Sequence, residues 1–175
     1  MTQNVTTSTT KGAILGLVLI VISLVIYLMK LEDPALQWIP NCILIIGIIL
    51  SISQYGKQID YNSTFGNYFS HGFKIAAMVT IIMIIYLVIF MTIFPEFKEK
   101  AIDIAKKQME EKKNMTQDQI DKAIDITRKF FTLFLVLGTL VWDLILGAIG
   151  ALIGAAITKK HPATFQEEHI NQIGS

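Results

Sequence analysis

The chain has 175 residues, of which 53% are hydrophobic and only 17% are charged, and its formal net charge is +1. This composition excludes an ordinary water-soluble domain, which carries more charge, and a strongly basic nucleic-acid-binding protein. The single cysteine, Cys42, excludes an intramolecular disulfide, and its place in an apolar run predicts a small buried residue.

Long apolar runs predict the fold. Membrane-spanning helices are expected at about residues 12–29, 34–56, 75–95 and 130–158. The first three runs contain no charged residue and no histidine, and the fourth contains only Asp143. A span needs about 20 mostly apolar residues, because the hydrocarbon core is roughly 30 Å thick and a helix rises about 1.5 Å per residue. The sequence therefore predicts an all-α membrane protein with four transmembrane helices, organised as one membrane domain over residues 1–175.

The N-terminal segment is interpreted as a membrane anchor that is not cleaved. Residues 1–10 form a polar tail, predicted to be disordered, and Lys11 then precedes the first apolar run. That run is longer than the apolar region of a signal peptide, and no small-residue cleavage site follows it. Pro34 suits the first turn of the second helix, so the first two spans are expected to be antiparallel neighbours.

An aromatic stripe precedes the third span. Phe65, Phe69 and Phe73 recur at helical spacing, and Ser63 or Thr64 is placed to cap a helix there. We interpret the segment as an interfacial extension of the third span. The alternative is a docking face for a partner or a lipid.

Residues 96–129 form the main polar region, with nine Lys or Arg and eight Asp or Glu. Two amphipathic stripes predict a helical hairpin between spans three and four, and Pro95 is expected to kink its junction with span three. Thr116 and Gln119 form a capping box at the start of the second hairpin helix, and Asp118 and Lys122 can pair one turn apart. The hairpin is either a solvated structural element or a partner-binding one. Residues 161–175 are predicted to be a disordered tail.

The distribution of basic residues gives a divided signal on orientation. The side of the termini carries five bases and the side of the hairpin carries ten. Lys11 precedes span one without a nearby acid, whereas Lys30 after it is followed by Glu32 and Asp33. On that local difference we expect both termini in the cytoplasm, and a cytoplasmic hairpin is the alternative.

Asp143 is the candidate intramembrane polar site, because a charge at the centre of a span is costly. On a helix it shares one face with a candidate packing surface, Gly147, Gly150 and Gly154, and Gly12 and Gly16 in the first span are expected to form the facing surface. Asp143 either bonds to a polar group on a neighbouring helix or carries a proton or cation.

The search for catalytic chemistry finds no candidate catalytic, cofactor-binding or metal-binding residue. His71, His161 and His169 are dispersed, and Cys42 has no second ligand at a metal-binding spacing. No metalloprotease, phosphate-loop or serine-hydrolase motif is present in the sequence.

One element supports a family resemblance. Phe65-Gly66-Asn67-Tyr68-Phe69-Ser70-His71-Gly72-Phe73 resembles the F-G-x-x-F-x-x-G-F signature of a bacterial family of four-span membrane domains of unknown function. The hairpin segment 115–123 and the small-residue-rich final span, ending in Lys159 and Lys160, are similar too. The resemblance covers about residues 8–160. It implies a bacterial inner-membrane location and supplies no activity, ligand or site residue.

The sequence thus favours a non-enzymatic protein of the inner membrane that assembles with itself or with a membrane-protein partner. The expected partners are the lipid bilayer and protein, and neither a cofactor nor a nucleic acid is expected. The alternative is a small transporter or channel component that uses Asp143 as a proton or cation site. A membrane enzyme is a third and weaker interpretation.

Overall fold

A computed structural model describes residues 6–30, 33, 35–111 and 116–159. Its regular elements are α1 (Ser8–Leu28), a 3-10 turn (Leu36–Trp38), α2 (Ile39–Gln58), α3 (Phe65–Ile93), α4 (Glu96–Glu111) and α5 (Gln117–Ile157). Within that part of the chain, α1, α2, α3 and α5 are long and apolar enough to cross a membrane. The all-α prediction with four membrane helices is therefore confirmed.

The first helix begins earlier than the sequence predicts. Thr7 is its N-cap, and the Thr7 side chain accepts a hydrogen bond from the Thr10 backbone N–H. This bond satisfies one of the free donors of the first turn, so Ser8 to Thr10 are helical and do not belong to a disordered tail. Residues 1–5 of the first predicted tail and all of the second, residues 161–175, lie outside the described residues.

Two helical segments meet at Phe130 within α5. The dihedral angles leave the helical range there, with φ −107° and ψ 15°, so α5 is kinked at this residue. The predicted boundary between the polar segment and the fourth span falls at this same residue.

The turn between α2 and α3 is held by local backbone geometry. Asp60 and Tyr61 adopt left-handed φ values of 49° and 60°, and the Tyr61 N–H donates to the Gly56 carbonyl at 2.8 Å. Thr64 then caps α3, because its hydroxyl oxygen accepts from the Asn67 N–H at 3.4 Å. The aromatic stripe that begins at Phe65 is thus helical and continuous with the third span, as predicted.

The chain packs as two compact units, residues 1–82 with 143–175 and residues 83–142. The prediction of a single domain stays a prediction. The core of the first unit is made by α1, α2 and the parts of α3 and α5 that belong to it. Its most deeply buried side chains include Ile48, Ile52, Tyr68, Ile75, Val79, Ala151 and Ala155.

The second unit has its own apolar core, formed between α4 and the first part of α5. Ile102, Ile120, Ile124 and Phe131 are buried there. Two ion pairs flank this core, Lys106 with Asp121 at 3.8 Å and Arg128 with Glu99 at 3.2 Å. Residues later in α4 therefore meet residues earlier in α5, so the two segments run antiparallel.

The local signals at the start of α5 are confirmed. The Thr116 backbone N–H donates to the Gln119 side-chain oxygen at 2.9 Å, which is one half of the predicted capping box. The Lys122 ammonium lies 2.7 Å from the Asp118 carboxylate. Pro95 lies between the last residue of α3, Ile93, and the first residue of α4, where its ring prevents the helix from continuing.

Ile102→Ala is expected to destabilise the second unit by about 2–5 kcal/mol, because Ile102 is 1% exposed and its removal leaves a cavity. The matched control is Ile104→Ala on the same helix, since Ile104 is 57% exposed. Amide hydrogen exchange of α4, measured on the full chain in nanodiscs, should accelerate in the first variant and not in the control. Equal protection in the two variants would contradict the assigned core.

Candidate functional site: the surroundings of Asp143

Asp143 lies on α5 at the border between a packed face and an exposed face. Leu146 and Gly147, one turn further along, are buried, whereas Val141 and Ile145 are about half exposed, at 54% and 49%. The Asp143 side chain itself is half-buried. Asp143 thus lies where the buried face of α5 gives way to its exposed face.

The way α3 and α5 pair shows which polar side chain of α3 lies at the same height as Asp143. A methyl group added at Gly147 would collide with the Cβ of Ala76, and one added at Gly72 would lie 3.0 Å from the Cβ of Ala151. In this antiparallel pair the same register, extended by one turn, brings Thr80 level with Asp143.

Thr80 does not donate a hydrogen bond to that carboxylate. It is 3% exposed, and its hydroxyl donates to the Ala76 carbonyl of its own helix at 3.0 Å. A hydroxyl has one hydrogen to give, so Thr80 offers Asp143 only its lone pairs. Among residues 6–30, 33, 35–111 and 116–159, no side chain or backbone group donates a hydrogen bond to Asp143 or forms an ion pair with it.

The glycines of the fourth span face the second and third helices. Gly147 lies against Ala76 of α3, as described above. At Gly150 an added methyl group would lie 3.3 Å from the Ile45 carbonyl oxygen, and at Gly154 it would lie 3.2 Å from the Ile49 Cα. These are close approaches to the backbone of α2, which residues larger than glycine would not allow.

The glycines of the first span face a different helix. A methyl group at Gly12 would lie 2.8 Å from the Met78 Cβ, and one at Gly16 would lie 3.1 Å from Ile82 side-chain atoms, both on α3. The expectation that Gly12 and Gly16 form the surface facing Gly150 and Gly154 is therefore wrong. Small residues mark where a helix can approach closely, but the sequence does not state which helix does so.

A buried polar cluster in the first unit was not expected from the sequence. Lys11 is 7% exposed, and its ammonium donates to the Ser51 carbonyl oxygen at 2.9 Å. Tyr55 lies on α2 one turn after Ser51. Its ring stacks on the His71 ring with 4.0 Å between the centroids, and it meets the Tyr68 ring edge-on with 6.0 Å between the centroids. The cluster thus joins α1, α2 and the start of α3.

Two polar atoms of this cluster are buried and have no hydrogen-bond partner among the described residues, the Tyr68 hydroxyl and His71 Nε2. Both residues occupy variable positions of the F-G-x-x-F-x-x-G-F element, which the sequence analysis interpreted as an interfacial extension. A spacing of three residues on one helix is the only sequence signal that links them. Nothing in the sequence connects them to Lys11, which precedes another span.

The structure does not suggest metal chemistry near these residues. In the part of the chain that is described, no group of three or more His, Cys, Asp or Glu side chains is arranged to hold a metal ion. Cys42 is exposed on α2, so the expectation of a small buried residue is wrong. An apolar run in a membrane helix faces lipid as readily as it faces the protein core, because both surroundings are apolar.

Gly147→Ala is expected to destabilise the packing of α5 on α3 by about 1–3 kcal/mol, because the new methyl group would overlap Ala76. Gly138→Ala, on the same helix, is the matched control, since no atom lies within 4 Å of its added Cβ. Thermal denaturation in detergent should show a lower midpoint for the first variant and an unchanged or higher midpoint for the control. The same midpoint in both variants would contradict the close approach.

One of the comparisons with known proteins finds a match. The family model described as "Protein of unknown function (DUF4199)" matches residues 10–160. No curated protein and no solved structure matches the chain. Because the match covers most of α1 and all of α2, α3, α4 and α5, the chain belongs to the DUF4199 family.

Proposed function

We propose that this protein is a multi-pass protein of the bacterial inner membrane with a non-enzymatic role, and that it assembles with a second copy or with another membrane protein through the region of Asp143. The observation that carries the proposal is the Asp143 carboxylate, which receives no hydrogen bond from the described part of the chain. An intramembrane acid of this kind needs a partner or a proton.

The energetic argument favours a partner helix. A carboxylate at the centre of a span costs at least about 2.5 kcal/mol on insertion scales. A hydroxyl, amide or indole donor on a neighbouring helix offsets about 0.6–2 kcal/mol of that cost. Val141 and Ile145, which flank Asp143, are exposed and apolar, so a second helix that approaches this edge displaces lipid and not water.

The glycine faces do not serve this assembly, because α2 and α3 already occupy them within the chain. We infer instead that α4 and the first part of α5 form a hairpin outside the hydrocarbon region and provide a second contact surface. Its outer side carries Lys and Arg interleaved with Asp and Glu. A partner that docks there would be recognised by charge pattern more than by apolar area.

The alternative function is that of a small transporter or channel component, with Asp143 as a proton or cation site. The same unpartnered carboxylate supports it, since a group that exchanges protons or ions must be free to do so. Thr80 offers lone pairs at the same level and would suit a protonated Asp143.

Replacing Asp143 tests the two functions against each other. A photo-crosslinking residue at Ile145 should give a discrete adduct with a second copy or another membrane protein. Asp143→Asn should retain the adduct, because an amide still forms hydrogen bonds, and Asp143→Leu should weaken the association about three- to thirtyfold. Thr139→Val, which removes a hydroxyl one turn earlier on the same helix, is the control and should have no effect.

Two outcomes would overturn the assembly proposal. One is an adduct that is equally abundant in Asp143→Leu and in the unsubstituted chain. The other is proton-coupled flux in proteoliposomes that Asp143→Asn abolishes while the protein stays folded, which would establish the transporter alternative.

The orientation is tested by cysteine labelling in a Cys42→Ser background, because Cys42 is exposed. With both termini in the cytoplasm, Lys107→Cys on α4 should react with an impermeant maleimide added to intact spheroplasts. Lys57→Cys, at the end of α2, should react only after permeabilisation. The reverse pattern would place the hairpin in the cytoplasm.

A further inference from the structure

A cleft in the second unit lies where the third span meets the charged helix α4. Its volume is about 430 Å³, within the range of about 300–1,000 Å³ that small-ligand sites occupy. Val88, Met91 and Pro95 form an apolar floor, and Glu96, Lys98 and Glu99 form a charged rim. The site therefore has an apolar end and an ionic end.

The position of the cleft fits the surface of a bilayer. The apolar run of the third span ends at Pro95, and charged side chains begin at Glu96. Below the cleft, α3 carries an exposed apolar strip, Ile85, Val88 and Ile89, with exposed fractions of 55%, 44% and 54%. A hydrocarbon chain that leaves the floor of the cleft can continue along this strip into the membrane.

The charged side chains that line the cleft determine which lipid headgroups suit it. Glu96 and Glu99 lie one turn apart in the first turn of α4, so a headgroup ammonium would meet two carboxylates there. Both side chains already have interactions within the chain, which a ligand would have to replace. Lys98 lies between them in sequence and holds its ammonium 6.0 Å from the centre of the Phe131 ring. A headgroup with both an ammonium and a phosphate satisfies the acids and the lysine together.

The pair of acids also distinguishes a primary from a quaternary ammonium. A primary ammonium has N–H donors for two carboxylates, whereas a quaternary ammonium has none and is held mainly by aromatic rings. The Glu99 carboxylate already meets Arg128 at 3.2 Å, but both side chains are more than half exposed. Such a pair is weak and can rearrange around a ligand.

We propose that this cleft binds one phosphatidylethanolamine molecule of the surrounding bilayer, with its ammonium at Glu96 and Glu99, its phosphate at Lys98 and an acyl chain along Ile85, Val88 and Ile89. The site lies within a single compact unit of the chain. It does not depend on the assembly proposed for Asp143, and the two proposals can fail separately.

Native mass spectrometry of the delipidated full chain tests the site with three added lipids of equal chain length. Phosphatidylethanolamine should bind about tenfold more tightly than phosphatidylglycerol or phosphatidylcholine, which is the factor expected for one charge-assisted hydrogen bond. The double variant Glu96→Gln and Glu99→Gln should lose this preference. The control, Glu110→Gln and Glu111→Gln on the same helix and away from the cleft, should keep it.

Lys98→Gln provides an independent check if the double variant does not fold. It should weaken the binding of phosphatidylethanolamine and phosphatidylglycerol alike, because both contain the phosphate. Equal binding of all three lipids to the unsubstituted chain would overturn the proposal. So would an ethanolamine preference that survives the double variant Glu96→Gln and Glu99→Gln, or binding of both lipids that Lys98→Gln leaves unchanged.

Discussion

Close backbone approach holds the first unit of this protein together, and the lipid environment explains why it must. Lipid tails are as apolar as the helices, so burying a leucine between two spans gains little over leaving it in the bilayer. Short-range dispersion contacts between the helices hold them together instead. Three glycines of α5 permit these contacts because they let α5 approach α2 and α3 closely. They are Gly147 at Ala76, Gly150 at Ile45 and Gly154 at Ile49. The lipid environment also accounts for the many large apolar side chains on the surface of the protein, since they face lipid instead of water.

This mode of packing places Asp143 in an unusual position. The glycines draw one face of α5 into the bundle, and Asp143 lies at the margin of that face with no donor from the described chain. By contrast, Lys11, which precedes an apolar run, is buried and bonds to a backbone carbonyl. Two charged residues next to similar apolar sequences therefore have different surroundings. The difference arises from which helix lies opposite each of them.

Local signals in the sequence predict local structure well, and contacts between helices poorly. The spans, the Pro95 break and the Thr116 cap depend on neighbouring residues, and the structure confirms them. The boundary predicted at Phe130 from the change in composition coincides with the kink of α5, where the dihedral angles leave the helical range. The cluster of Lys11, Tyr55 and His71 requires three helices to meet, and no spacing within one helix encodes that meeting.

The bond between Lys11 and the Ser51 carbonyl has a consequence for how the protein responds to bilayers of different thickness. An apolar helix such as α1 carries few features that fix its depth, so it could slide along its neighbours when the hydrocarbon layer thins or thickens. The ammonium is tied to one carbonyl of α2, and sliding by one turn would leave a buried cation without an acceptor. The bond therefore opposes sliding of α1 along α2 when the thickness of the bilayer changes.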